Sequence, residues 1–178
     1  MIPKTWKDVF GDGITSTAAE IADCLNSVLD ADGLPGATDP ASYNLPSDYI
    51  YSEQPFGTFF YKLYDKMDYT SAQNTCTQDG AVLLVPRSIE ENEFFGMLGR
   101  ENNKHIWLGI NDIVDEGQFV DNDGIPISFQ HWNTGQPDNV GDEDAVELQS
   151  SEDHAIGFKW NDIRESSTNA APLCVFYL

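Results

Sequence analysis

Three short polar runs, Gln136-Pro137-Asp138, Glu143-Asp144 and Trp160-Asn161-Asp162, flank apolar strand-like segments and set carboxylate and amide side chains at three points of the chain. Oxygen ligands of this kind, mixed charged and neutral, are what a hard cation such as calcium requires. Gln136, Asp138, Glu143, Asn161 and Asp162 together offer three carboxylates and two amide oxygens. Three negative charges on a divalent ion leave the cluster only mildly anionic, and the amides fill coordination without further repulsion. Zinc would call for His or Cys, yet His105, His131 and His154 are scattered and Cys24, Cys76 and Cys174 stand far apart. Any one of these acidic residues alone reads as a turn residue; five polar residues around a proline and a tryptophan read as a site.

Charge narrows the partners. With 30 Asp and Glu against 9 Lys and Arg, phosphate backbones and anionic lipid surfaces are repelled, so nucleic acid is excluded as a partner. The acidic surplus serves solubility, concentrates cations near the surface, or both. The longest clean apolar run, Ala81 to Val85, stops at Pro86, far short of a membrane span, so a soluble protein without membrane insertion is expected. Residues 1–30 lack the unbroken apolar centre of a signal peptide, so Met1 either starts a cytosolic protein or was added to a mature secreted one.

At 178 residues the chain fits one domain plus an appendage. Thr17-Ala18-Ala19-Glu20 is a capping box, and Ala18, Ile21, Ala22, Leu25, Val28 and Leu29 recur at helical spacing until Gly33. This helix packs on the main domain or on a second copy of the chain, and pairing of Cys24 with its copy would fit a homodimer. Residues 33–55 are rich in Pro, Gly, Ser, Asp and Asn and read as a connecting segment. The division expected is an N-terminal helical extension and linker over 1–50, then a domain over 51–178.

Within that domain, Gly57 to Tyr64 predicts a strand, and Tyr69, Ala72 and Cys76 share a helical face. Ala81 to Val85 is a short buried strand, and Ser88-Ile89-Glu90-Glu91 is a second capping box leading to Phe94, Phe95, Met97 and Leu98. Short strands follow at 106–110, 117–120, 145–148, 157–160 and 172–177. Helices early and strands late predict an α+β domain. Trp107, Trp132 and Trp160 read as core. Three cysteines leave at least one thiol without an internal partner. A Cys76–Cys174 bridge would close a loop of roughly 100 residues, worth about 4 to 5 kcal/mol by loop-closure entropy; three buried free thiols are the alternative.

From about Phe59 to Leu178 the chain resembles the C-type lectin-like domain. Carrying the resemblance, in order, are Cys76, Trp107-Leu108-Gly109-Ile110, Glu116-Gly117-Gln118-Phe119, Phe129 with Trp132, Gln136-Pro137-Asp138, Glu143-Asp144, Trp160-Asn161-Asp162 and Cys174. The resemblance implies two helices flanking two small antiparallel sheets, a long loop with the principal calcium site, and a Cys76–Cys174 disulfide. It maps the calcium and sugar site onto Gln136, Asp138, Glu143, Asn161 and Asp162, with Pro137 in the cis form. Two neighbouring sugar hydroxyls would then share calcium while pairing with carboxylate acceptors and amide donors.

The Gln-Pro-Asp order is associated in the family with galactose and N-acetylgalactosamine. An auxiliary calcium site would fall on Asp112, Glu116, Asn139, Glu143 and Asp144, with Asn139 where a carboxylate is expected. Two features depart from the family. No aromatic residue follows Asp138 to pack on a sugar ring, since Asn139-Val140-Gly141 stands there, leaving His154 or Phe158 as weak candidates. Ala145 and Glu165 occupy the positions of a second disulfide, so the loop should lean more on calcium for order. The resemblance thus implies a secreted, calcium-dependent glycan-binding module. The alternative is a non-sugar module of the same fold that binds a protein, ice or a calcium mineral. An enzyme is disfavoured because carboxylates committed to a cation are poor proton donors.

Overall fold

Local signals set both helices. Asp68 caps α1 (Tyr69–Gln78), its carboxylate accepting the Ser71 N–H at 2.9 Å, and the buried residues of α1 are Tyr69, Ala72 and Cys76, the face expected from spacing. Ser88 caps α2 (Ile89–Glu101), its Oγ accepting the Glu91 N–H at 3.2 Å. The Glu91 carboxylate reaches back to the Arg87 N–H at 2.7 Å, one residue before the cap, so the capping box closes one residue wider than its usual form. The protein is described here from a computed structural model covering residues 38–150 and 158–178. The N-terminal helix expected after Thr17, Cys24 and His154 lie outside the described residues.

Strands β1 (Ile50–Gln54), β2 (Gly57–Leu63), β3 (Val82–Leu83), β4 (His105–Asn111), β5 (Ala145–Leu148), β6 (Trp160–Ile163) and β7 (Ala170–Tyr177) complete the unit that runs from Asp39 to Leu178. They lie in the order β1-β2-β7-β4-β5-β6, with β3 also on β7. The fold is α+β, as expected, with one refinement. The two antiparallel groups are joined because the start of β7 runs parallel to β4, pairing Ala170, Ala171 and Pro172 with His105, Ile106 and Trp107.

Strand alternation sends side chains into two cores, one on each side of this sheet. From β4 and β7, Ile106, Leu108, Ile110, Leu173 and Val175 enter a core with Phe59, Phe95 and Trp160. Trp107 and Cys174 face the other core, with Tyr69, Ala72 and Cys76 of α1. The bond between Cys76 and Cys174, whose Cα atoms stand 5.2 Å apart, fastens α1 to β7 there. Trp107 and Trp160 are fully buried, and both indole N–H groups are satisfied, by Met67 O at 2.8 Å and Asn92 Oδ1 at 2.7 Å. Trp132 is half-buried, edge-on to Trp160. Gly109 leaves room for Asn122, whose amide would lie 2.3 Å from a Cβ there and donates to Leu83 O at 2.8 Å.

Three expectations need correction. Ile50–Gln54 is a strand and not connecting chain: it pairs with β2 through a tight hairpin, Gln54 opposite Gly57, and as an edge strand it has little apolar alternation to betray it. The strand expected at 117–120 is reduced to Val120, which bridges Asn111 and Pro126 singly. The strand expected at 157–160 begins at Trp160 and continues to Ile163, because Phe158 sits at φ 48°. That left-handed backbone breaks an extended run and turns the Phe158 ring towards α2. The ring fills the space over Gly96, where a Cβ would approach within 2.3 Å, and Arg100 lies 5.2 Å from its centroid. Phe158 is therefore part of the core and not a stacking platform for a ligand.

Candidate functional site

The chain between β4 and β5 holds no regular strand or helix, and its last stretch folds back against β6. Asp162 organises that contact. Only 1 % exposed, it accepts the Asp138 N–H on Oδ1 at 3.2 Å and the Asn139 N–H on Oδ2 at 2.7 Å. Asp138 Oδ1 accepts the Val140 N–H at 3.2 Å, and Asn139 Oδ1 accepts the Glu143 N–H at 2.7 Å. The loop is thus ordered by its own carboxylate and amide oxygens bonding backbone N–H groups, and the Gln136–Pro137 peptide bond is cis, as the resemblance implied.

This arrangement gathers Asp138, Glu143 and Asp162, each offering a carboxylate oxygen within 4.8 Å of the others. Burial first, then the charges of Asp162 and Asp138, push the Glu143 carboxyl above the usual carboxylate range, while Arg164 pulls it the other way. Gln136 joins from the far side of the proline: Nε2 donates to Asp138 Oδ2 at 3.3 Å, and Oε1 is buried with no hydrogen-bond partner. Crowded carboxylates and an orphaned amide oxygen are the donor set a hard divalent cation satisfies, and no His or Cys belongs to the group.

Asn161 is placed differently. Directly across the sheet from Glu147, it donates from Nδ2 to Glu147 Oε1 at 3.5 Å. Burial pushes the Glu147 carboxyl up, offset by hydrogen bonds from Gln149 and Asn161, and its Oε2 has no partner.

The auxiliary set divides. Glu116 and Asp144 come together with Asp142, a residue sequence reasoning did not select, while Asn139 and Glu143 bond to each other in the first group. Asp142 takes the position because its backbone turns at φ 70° next to Gly141 at φ 87°; the only signal in the chain is that it extends the Glu143-Asp144 run by one carboxylate. Asp112, 2 % exposed, accepts the Gly117 N–H at 2.8 Å on Oδ2, and its Oδ1 is unpartnered.

Burial, reinforced by the charges of Glu116 and Asp144 and opposed by the Gly117 hydrogen bond, pushes the Asp112 carboxyl up from 3.8 to about 6. Between those two values the folded chain holds a proton that the unfolded chain has released, so without metal its stability rises as pH falls through 6. The Asp112 share of the stability change from pH 7 to pH 5, read from thermal unfolding in chelator as the difference between parent and Asp112→Asn, should be a gain of about 1 to 2 kcal/mol. The contributions of Glu143, Glu147 and His105 should remain in the variant; equal pH slopes in parent and variant would refute the assignment.

Comparison with known proteins agrees with the fold. The family described as "Lectin C-type domain" matches residues 65–176. The CD209 antigen of Symphalangus syndactylus is 33% identical over 109 residues, 60% of this chain and 27% of the relative, so the chain spans about a quarter of that protein's length. Among solved structures, the carbohydrate-recognition domain of cow CD23, determined in the presence of a GlcNAc2Man3 oligosaccharide, has a TM-score of 0.62 and 25% identity, covering 75% of this chain and 95% of that one. The herring type II antifreeze protein shares the fold, with a TM-score of 0.61 and 22% identity over 75% of this chain and 98% of its own.

Proposed function

The chain belongs to the C-type lectin domain family, and on that premise we propose that the edge formed by residues 136–144 and β6 binds a glycan in a calcium-dependent manner, through galactose or N-acetylgalactosamine. The observation that carries the reading is the meeting of Asp138, Glu143 and Asp162 within 4.8 Å beside the unpartnered Gln136 Oε1. Gln136, Asp138, Glu143 and Asp162 would hold the ion, with Asn161 adjoining from β6, and Asp112, Glu116, Asp142 and Asp144 would hold a second. When bound, calcium supplies coordination positions for two neighbouring sugar hydroxyls.

The chain's own groups supply the rest. Carboxylate oxygens of Asp138 and Glu143 accept hydroxyl protons, and the Gln136 amide can donate in return, so a diol finds partners for both its hydrogens and its lone pairs. The cow CD23 oligosaccharide supports a glycan ligand for this fold. The choice of galactose rests on the order Gln136-Pro137-Asp138. The buried Cys76–Cys174 disulfide favours an oxidising, extracellular setting. Binding and not catalysis is the role proposed, since every acidic group here serves an ion or a backbone N–H.

One observation favours a second reading, an ice or protein surface of the kind the antifreeze relative suggests. No aromatic residue closely follows Asp138, where Val140 is 64 % exposed, and Phe158 is committed to the core. Galactose-agarose separates the two. Retention in calcium with release by chelator is expected, weaker retention is expected on mannose-agarose, and flow-through on both would count against a sugar ligand.

A further inference from the structure

We propose that Arg164 is a positioning residue, an internal cationic clamp that presets the ligand-bearing turn 139–144 before any metal arrives. The inference rests on the calcium reading above for its purpose, although its geometry stands apart from it. Arg164 directly follows β6, two residues beyond Asp162, and its Nε donates to Gly141 O at 2.8 Å.

The guanidinium lies so close over Gly141 that a Cβ at that position would sit 2.0 Å from Nη2. Gly141 must also adopt φ 87°, so glycine is needed here for both reasons. The same side chain supplies the positive charge acting on Glu143, against Asp162 and Asp138. Arg164 also lines an open polar groove with Asp142, Asp144, Glu165 and Asp68, four acidic side chains around one guanidinium.

Two opposed effects follow from this placement. A cation beside the site repels calcium, which by itself would make Arg164 a hindrance. Against that, the turn holds Asp142, Glu143 and Asp144 in sequence, and its carbonyl at Gly141 is gripped by a planar donor fixed to the end of β6. Asp162 fastens the front of the turn at the 138 and 139 N–H groups, and Arg164 fastens its middle. Arg164 is exposed, so water screens its repulsion, whereas the loss of the tie would free the turn that carries the ligands. Preorganisation is therefore the larger effect, and the clamp helps the metal.

The test uses amide hydrogen exchange in chelator, where no metal contributes. In Arg164→Ala, protection of the Asn139 and Glu143 amides should fall by about tenfold, the value of one lost hydrogen bond, and calcium should restore it. Calorimetry should show calcium bound about fivefold to tenfold more weakly by the variant, despite the removal of a positive charge. Arg164→Lys should recover less than half of the lost protection, because it keeps the charge without the planar fork.

Unchanged exchange in Arg164→Ala, full recovery in Arg164→Lys, or equal or tighter calcium binding by Arg164→Ala would each overturn the proposal. Failure of the parent to bind calcium would sink the lectin reading instead, and exchange in chelator would still decide whether Arg164 clamps the turn.

Discussion

Asp162→Ala is expected to abolish calcium-dependent retention on galactose and to destabilise the chain by about 3 kcal/mol even in chelator. The second half of this expectation follows from the metal-free geometry. Both Asp162 oxygens accept backbone N–H groups, from Asp138 and Asn139, and the residue is buried. Truncation leaves two donors without partners at the point where the loop meets β6, and each charge-assisted bond is worth about 1.5 to 3 kcal/mol. Relief of repulsion between Asp162 and Glu143 offsets part of the loss.

Denaturant unfolding in chelator measures the structural share, and calorimetry with calcium measures the ligand share. A variant as stable as the parent would mean that Asp162 does not organise the loop. A variant still retained on galactose with calcium would remove Asp162 from the proposed site.

The second large effect concerns the disulfide. Replacing Cys76 and Cys174 together by alanine should cost about 4 kcal/mol, since the bond closes a loop of 98 residues and its removal returns that closure entropy to the unfolded chain. The bond joins α1 to β7 inside a core with Trp107 and Tyr69, away from the residues that gather around Asp162. The surviving folded fraction should therefore bind calcium with little change in affinity. Equilibrium unfolding gives the stability difference, and a loss below about 1 kcal/mol would mean that packing of α1 on β7 holds without the covalent tie.

What could be read from the chain was what local chemistry decides. Ser88 and Glu91 announce α2 because a cap and its reciprocal acceptor lie three residues apart. The spacing of Tyr69, Ala72 and Cys76 gives the buried side of α1, since one helical period decides it. The Gln136-Pro137-Asp138 run could be recognised because its resemblance to a family carries the cis bond with it.

What could not be read was settled by partners distant in sequence. Ile50–Gln54 is a strand only because β2 lies beside it. Phe158 packs towards α2 because Gly96 makes room there, and nothing near Phe158 in the chain says so. Of the carboxylates in Asp142-Glu143-Asp144, Glu143 turns to one group and its two neighbours to the other. That sorting depends on positive φ at Gly141 and Asp142, which an acidic run does not disclose.

The strand order has a practical bearing on how the protein can be handled. Ile50 on β1 and Leu178 just after β7 lie on the two strands that flank β2, with Leu178 bonded to Thr58 and β1 paired to the same β2. β6 lies at the far margin of the order, three inter-strand steps from β7, the strand that leads to Leu178, or about 14 Å at the usual spacing. Anchoring the domain to a chip, bead or fusion partner by its C-terminus should thus leave the Asp162 margin turned away from the support and open to large glycans.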